Sequence, residues 1–342
     1  MTRIHTLAWK FALTCAAAAA LAACGGGGGD GSKATTGTLK LGITDAPVDV
    51  AEAVVVRFTG VELKPVNAAP FSVDFAAPKD IDLYDLQGPK RELLLTGEAI
   101  PAGEYEWMRL KVAVDPTQQD SYVEVSSGQV CEMRIPSGAE TGLKLIHSFT
   151  VGIGAITDLT IDFDLRKSLV QPPGQKADQT TCDSNQVYLL KPALRVVDSL
   201  EVGTISGKVD STQLPAGCVP DGTNPAYPGN VYLFGPYTDT VPPTVPLVDD
   251  VDGILDDDAG ADPITTAKVD KDTFTYAIGF VPAGKYVIAY TCSPDDTLVD
   301  ADTDAPTPPA VDEVVTFSPD PGLQIEVTAN QVKTVDFPVA TQ

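Results

Sequence analysis

Short runs of β-branched and aromatic residues, each cut off by Gly or Pro, limit what this chain can become. Thr38-Leu39-Lys40-Leu41-Gly42-Ile43 alternates apolar and polar with period two, the pattern of a strand buried on one face. Thr44-Asp45-Ala46-Pro47 ends it, because an Asp side chain closes an Asx turn and proline cannot continue a ladder. Val54 to Leu63 is β-branched and reads as a buried strand. Strand signals follow at Ile81 to Tyr84, Glu104 to Val114, Val130 to Ile135, Leu143 to Val151, Leu159 to Leu165 and Val187 to Leu190. Gly203 to Val209, Val231 to Phe234, Thr273 to Phe280, Tyr286 to Cys292, Val314 to Phe317, Ile325 to Val327 and Val332 to Phe337 continue the series. No long amphipathic helix interrupts it; Val48 to Ala53 has room for a single turn. The expected fold class is all-β, built as antiparallel sandwiches.

The first 23 residues do not belong to that fold. Arg3 and Lys10 form a positive n-region and Phe11 to Leu21 an apolar, alanine-rich h-region. The apolar run is shorter than the roughly 20 residues a membrane-spanning helix needs. Leu21-Ala22-Ala23-Cys24 resembles a bacterial lipobox, whose cysteine is diacylated on sulfur and becomes the acylated N-terminus. Ordinary secretory cleavage, with Cys24 a free thiol, is the alternative. Two or more acyl chains give a stable anchor where one is marginal. By resemblance to Gram-negative lipoproteins, Gly25 after the cysteine implies sorting to the outer membrane. Residues 24–36 then read as the acylated Cys and a flexible Gly-rich tether. That tether spans on the order of 20 Å as a coil and roughly 40 Å stretched.

Hydrophobic residues make up 43% and charged residues 20%, so the chain can build a packed core. The net charge is −24, and it grows two units more negative when Arg3 and Lys10 leave with the signal. That charge argues against a nucleic-acid partner and against adhesion to anionic lipid through basic patches. His5 leaves too, so the mature chain keeps only His147. A histidine metal cluster within one chain is thereby excluded, and a Ser-His-Asp triad would have to use His147. His147 sits in a predicted strand, and no Gly-x-Ser-x-Gly elbow or phosphate-binding loop supports it. Cys15 leaves with the signal and Cys24 is acylated, which leaves Cys131, Cys182, Cys218 and Cys292 for an oxidising compartment. Three connectivities are open. Cys131–Cys182 and Cys218–Cys292 are favoured because a domain boundary falls between the pairs.

Residues 37–199 form the first expected domain. Its strings Leu-Gly-Ile-Thr-Asp-Ala-Pro-Val-Asp (41–49), Pro-Ala-Gly-Glu-Tyr-Glu-Trp-Met-Arg-Leu (101–110) and Pro-Ser-Gly-Ala-Glu-Thr-Gly-Leu-Lys-Leu (136–145) come in order. Thr-Ile-Asp-Phe-Asp-Leu-Arg-Lys-Ser (160–168) and Leu-Lys-Pro-Ala-Leu-Arg-Val-Val (190–197) complete the set. Together they resemble the lipoprotein family called domain of unknown function 4382. The resemblance implies export, lipidation and a β-rich domain, and brings no catalytic or binding residue with it. Residues 201–342 form the second. Gly-x-Ile-x-Gly-x-Val at 203–209, Pro-Ala-Gly-Lys-Tyr at 282–286 and an alternating strand at the end resemble a prealbumin-like, carboxypeptidase-regulatory β-sandwich, also called a carbohydrate-binding-like fold. Pro101-Ala102-Gly103-Glu104-Tyr105 in the first domain repeats that middle motif, and both copies suit hairpin corners with a type I turn.

Two groups of residues could hold a ligand. Asp300, Asp302 and Asp304 have the alternate spacing that calcium loops use, with Asp312 or Glu313 to close the shell. Ala305 and Val311 stand where an EF-hand needs Gly and Glu, so the site would be an irregular calcium site; a solvated acidic loop is the plainer alternative. Tyr105, Trp107, Arg109 and Lys111 fall on one face of a strand by alternation, an aromatic pair with cations for a sugar or an anion. A bulge after Gly103 that turns Tyr105 or Trp107 into the core satisfies the same pattern. The sequence thus describes a non-catalytic outer-membrane lipoprotein. Its partners would be the bilayer, through Cys24, and a glycan or an envelope protein. No cofactor is required, calcium being the one candidate for a calcium-dependent adhesion module, and a hydrolase is the third reading.

Overall fold

The computed structural model describes residues 35–46, 51–113, 120–125, 127–136, 142–170, 187–191, 193–210, 212, 228–237, 247, 263–292 and 317–338. The expected export signal, most of the tether and the Asp-rich stretch from Asp300 to Glu313 lie outside these.

The first half runs through β1 (Thr36–Ala46), β2 (Ala53–Pro65), β3 (Phe71–Asp82), β4 (Glu92–Pro101), β5 (Gly103–Val112), β6 (Tyr122–Glu124), β7 (Val130–Arg134), β8 (Leu143–Leu145), β9 (Phe149–Val151) and β10 (Ile156–Asp164). A single helical turn, α1 (Leu165–Ser168), leads to β11 (Leu169–Val170), β12 (Val187–Leu190) and β13 (Leu194–Asp198). The second half comprises β14 (Val202–Lys208), β15 (Asn230–Tyr237), β16 (Pro263–Lys268), β17 (Thr275–Pro282), β18 (Gly284–Thr291), β19 (Ser318–Val327) and β20 (Val332–Thr334). The protein is all-β, and its described residues form four sheets: β13-β10-β1-β4, then β11-β12-β7-β6-β2-β5-β8 with β3 and β9 added on β2 and β5, then β17-β14-β20, then β16-β15-β18-β19.

Alternation does what the sequence promised in β1. Leu39, Leu41 and Ile43 are fully buried and meet Val56, Phe58, Val61 and Leu63 of β2 in one core. Phe58 and Phe163 cross between the two sheets edge to face, ring centroids 6.5 Å apart. A separate core, with Ile205, Val231, Leu233, Tyr286 and Phe337, fills the second half.

Both halves follow one plan. The first strand pairs antiparallel with the fourth (β1 with β4, β14 with β17) and parallel with a strand more than 100 residues further on (β1 with β10, β14 with β20). The second strand pairs with the third and the fifth (β2 with β3 and β5, β15 with β16 and β18). The Pro-Ala-Gly-x-Tyr motif lies at the same place in each, between the fourth and fifth strands. These strands belong to different sheets, so the motif is a sheet-to-sheet corner and the expected hairpin is corrected. The Tyr105 hydroxyl donates to the Pro101 carbonyl at 2.7 Å, and Tyr286 to Pro282 at 2.8 Å. Ala102 N–H donates to Thr35 O and Ala283 N–H to Glu201 O, so each corner also clips the chain just ahead of its first strand. Tyr105→Phe and Tyr286→Phe should each cost about 1 kcal/mol, the usual net worth of one such bond. The two costs should add, because the sites share no partner. Urea unfolding of the single and double variants measures this; no loss in either variant would mean the rings alone hold the corners.

Arg91, just ahead of β4, ties three strands to the junction between the halves. It lies across Gly42, where a Cβ would sit 2.9 Å from its side chain. Its guanidinium donates to Asp158 at 2.8 and 3.2 Å, to Thr160 Oγ1 at 2.9 Å and to Ser199 Oγ at 2.8 Å. Burial pushes the Asp158 carboxyl up, but the hydrogen bonds from Arg91 and Ser199 and the charges of Arg91 and Lys40 hold it below the usual carboxylate range. A depressed carboxyl adds stability that is present at neutral pH and fades as pH falls through its folded value. Arg91→Ala should therefore destabilise by about 1–3 kcal/mol at pH 7 and by less near pH 3. Equal losses in urea titrations at the two pH values would reduce Arg91 to a packing role.

Several strands differ from the sequence expectation. Ile81 to Tyr84 is the end of a strand of 12 residues, β3, followed by a 3-10 turn at Tyr84–Leu86. The expected single strand at Leu143 to Val151 is broken at 146–148, which puts His147 in an exposed connection instead of a strand.

Candidate functional site

The expected platform on β5 forms, with one residue lost to the core. Lys64 pairs with Trp107 and Pro65 with Tyr105, so Glu106 is an extra residue, a β-bulge. The bulge shifts the side-chain parity. Tyr105 turns inward, 1% exposed, and stacks on Phe149 at 4.8 Å. Its inclusion in the binding face is therefore corrected; Trp107, Arg109 and Lys111 keep the outer face. The break at 146–148 lies opposite the bulge, since Met108 pairs with Leu145 and Tyr105 with Phe149.

Neighbouring strands complete the surface. Register places Glu62 of β2 and Lys144 of β8 on either side of Arg109. The Arg109 guanidinium lies 4.9 Å from the Trp107 ring centroid and the Lys144 ammonium 4.7 Å. Trp is the best of the aromatic partners for a cation. Arg109 also donates to Glu62 at 2.6 Å, and Lys111 to Asp74 of β3 at 2.5 Å. Lys64 approaches Glu106 at 3.6 Å. Lys144 and Glu62 were not readable as site residues, because only the strand pairing brings them to Trp107. The two cations cover the electron-rich indole face, so positive charge rather than the bare ring is what this surface presents there. A rim of this kind contributes little to folding: Arg109 and Glu62 are each 24% exposed, and such pairs are worth about 0–1 kcal/mol. Arg109→Ala should shift the unfolding free energy by no more than about 1 kcal/mol. A larger loss in thermal or urea unfolding would make the cluster a structural brace.

The other candidates are placed as follows. Asp300, Asp302, Asp304, Asp312 and Glu313 lie outside the described residues, as does Cys24. Among the described residues no three His, Cys, Asp or Glu gather as a metal site. Cys131 and Cys292 are disulfide-bonded; Cys182 and Cys218 lie outside the described residues. A groove of about 180 Å³ between the halves is lined by Gln87, Lys268 and Tyr276, smaller than the ~300 Å³ at which small-molecule sites begin.

Residues 36–192 match the family described as "Domain of unknown function (DUF4382)". The chain carries a DUF4382 domain. Its match covers β1 to β12, the whole Trp107 surface included, and stops short of β13. No curated protein matches the chain. Among solved structures, the minor pilin GBS52 of Streptococcus agalactiae is 9% identical, with 87% of this chain and 94% of that chain covered and a TM-score of 0.18. BcpA, the major pilin subunit of Bacillus cereus, is 12% identical, with 88% and 98% covered and a TM-score of 0.17. Superpositions that poor carry no argument about this protein.

Proposed function

We propose that this protein is a non-catalytic outer-membrane lipoprotein, held by an acylated Cys24, whose DUF4382 domain binds an acidic glycan at the cell envelope. The observation that carries the reading is Trp107, facing outward from a rigid sheet with Arg109 and Lys144 against its ring. Carboxylate or sulfate groups are what such a cation pair recognises, and an aromatic edge beside them suits a sugar ring. An acidic patch on an envelope protein would use the same chemistry. In this reading Cys131–Cys182 and Cys218–Cys292 staple the two halves, and residues 201–342 form a prealbumin-like spacer.

Two measurements test it. Mass spectrometry of the mature N-terminus should find Cys24 acylated, and Cys24→Ala should release the protein from the membrane fraction. An unmodified terminus ends the anchor reading. On a glycan array, the chain from Ser32 onward should favour acidic over neutral glycans, and Trp107→Ala should cost roughly tenfold or more, the size of a stacking contact with a desolvated cation. Binding that survives Trp107→Ala unchanged would remove the platform.

A further inference from the structure

Where the chain enters the first sandwich, three connections carry no charged side chain, and the exposed Glu104 borders them. Three connections meet around Thr35 and Thr36. The corner at 101–103 is joined by Ala102 N–H on Thr35 O at 2.8 Å. The turn at 152–155 is joined by Gly154 N–H on Thr36 O and by Thr38 N–H on Ala155 O, both at 2.9 Å. The β2–β3 connection at 66–70 is joined through Val66 N–H on Glu104 O at 2.9 Å. One residue in five of this chain is charged, yet none in these exposed connections is.

Two large aliphatic side chains project from this end. Ile153 is 68% exposed and Ile156 59%, with Val66 beside them at 38%. The backbone of the turn is held close to β1: a Cβ on Gly37 would stand 2.2 Å from Gly152 O. The turn does not require Ile153. The second half makes the same turn at Thr328-Ala329-Asn330-Gln331, with matching bonds from Asn330 N–H to Val202 O and from Thr204 N–H to Gln331 O. Asn330, at φ 59°, stands for Gly154, at φ 67°, Ala329 for Ile153, and Val332, 65% exposed, for Ile156, so the exposure of Ile156 belongs to the shared plan and Ile153 is the residue peculiar to the first half. The backbone demands a left-handed residue at the third place and sets no condition on the second.

We propose that this end is a membrane-contacting surface, with Ile153 inserting into the bilayer leaflet that holds the lipid of Cys24 and Ile156 widening the apolar tip. The inference rests on the anchor reading. Ten residues, 25 to 34, separate Cys24 from Thr35, a reach of at most about 35 Å. A tether that short holds the domain at high effective concentration beside the lipid, so a weak contact suffices. At net charge −24 most of the body is repelled by anionic headgroups, and connections without charged side chains, bordered by Glu104 alone in the 101–104 corner, approach with less of that penalty. Aliphatic residues on a fixed turn then supply the apolar area that interfacial binding needs.

The test couples the mature chain, through Cys24, to a maleimide phospholipid in phosphatidylcholine vesicles, so attachment does not depend on cellular acylation. Trp107→Phe removes the one tryptophan of the mature sequence, and Ile153→Trp places a reporter at the tip. Ser127→Trp, in the β6–β7 turn beyond the opposite end of the 13-residue β2, is the control. Brominated acyl chains should quench the emission of the tip indole by roughly twofold or more and leave the control unchanged. No quenching, or equal quenching at both positions, overturns the proposal. So does sedimentation of the soluble chain as a dimer that Ile153→Asp with Ile156→Asp dissolves, which would give the surface to a second copy. The mass of the cellular N-terminus is read separately: an unacylated terminus with tip-selective quenching intact removes the anchor and keeps the contact.

Discussion

Each half of this protein depends on how its first strand is held. β1 lies between β4, antiparallel, and β10, parallel, and β14 lies between β17 and β20 in the same way. The parallel partner arrives from more than 100 residues along the chain, so loop-closure entropy must be met before that pairing gives anything back. The tyrosine corner supplies the local help. Pro101 pairs with Thr36 and Pro282 with Val202, at the point where the strand begins. The same carbonyls accept Tyr105 and Tyr286, and the following Ala N–H grips the residue before the strand. One five-residue motif thus fixes a strand end, a sheet change and a buried aromatic ring.

That dependence explains which parts of the fold were legible in the sequence. Local periodicity was enough for β1, because Leu39, Leu41 and Ile43 face one core without interruption. It failed for β4, where Arg91-Glu92-Leu93-Leu94-Leu95 has the composition of a helix and only pairing with β1 makes it a strand. It failed for most of β3, where Pro70 and Pro78 read as breaks; β3 pairs only with β2, and an edge strand tolerates proline. Period counting alone put Tyr105 to Lys111 on one face; the alternative, a bulge after Gly103 that buries an aromatic ring, is what the structure has, with Glu106 as the extra residue and Tyr105 the ring. A bulge has no composition of its own here, so the parity change that buries Tyr105 and leaves Trp107 outside is a property of the pairing with β2. The site followed the same rule. Trp107, Arg109 and Lys111 could be read along one strand, while Glu62 and Lys144 are brought in by register.

The repeated plan also separates what the fold requires from what it merely carries. Gly37 and Gly203 occupy one position in the two halves, and in both a Cβ would strike the carbonyl of the turn that leads into the parallel strand, at Gly152 and Thr328. A feature present in both halves, such as this glycine, the left-handed turn residue or the corner tyrosine, is explained by the backbone. A feature present in one is not. The first half has Thr35 and Ile153 where the second has Glu201 and Ala329, and it carries Trp107 with Arg109 on its fifth strand where β18 is buried along Tyr286 to Thr291. Those differences concentrate on surfaces, at the end that receives the tether and on the outer face of β5. The second half builds the same turn with Ala329 and the same fifth strand without an exposed tryptophan, so the shared backbone plan requires neither Ile153 nor Trp107.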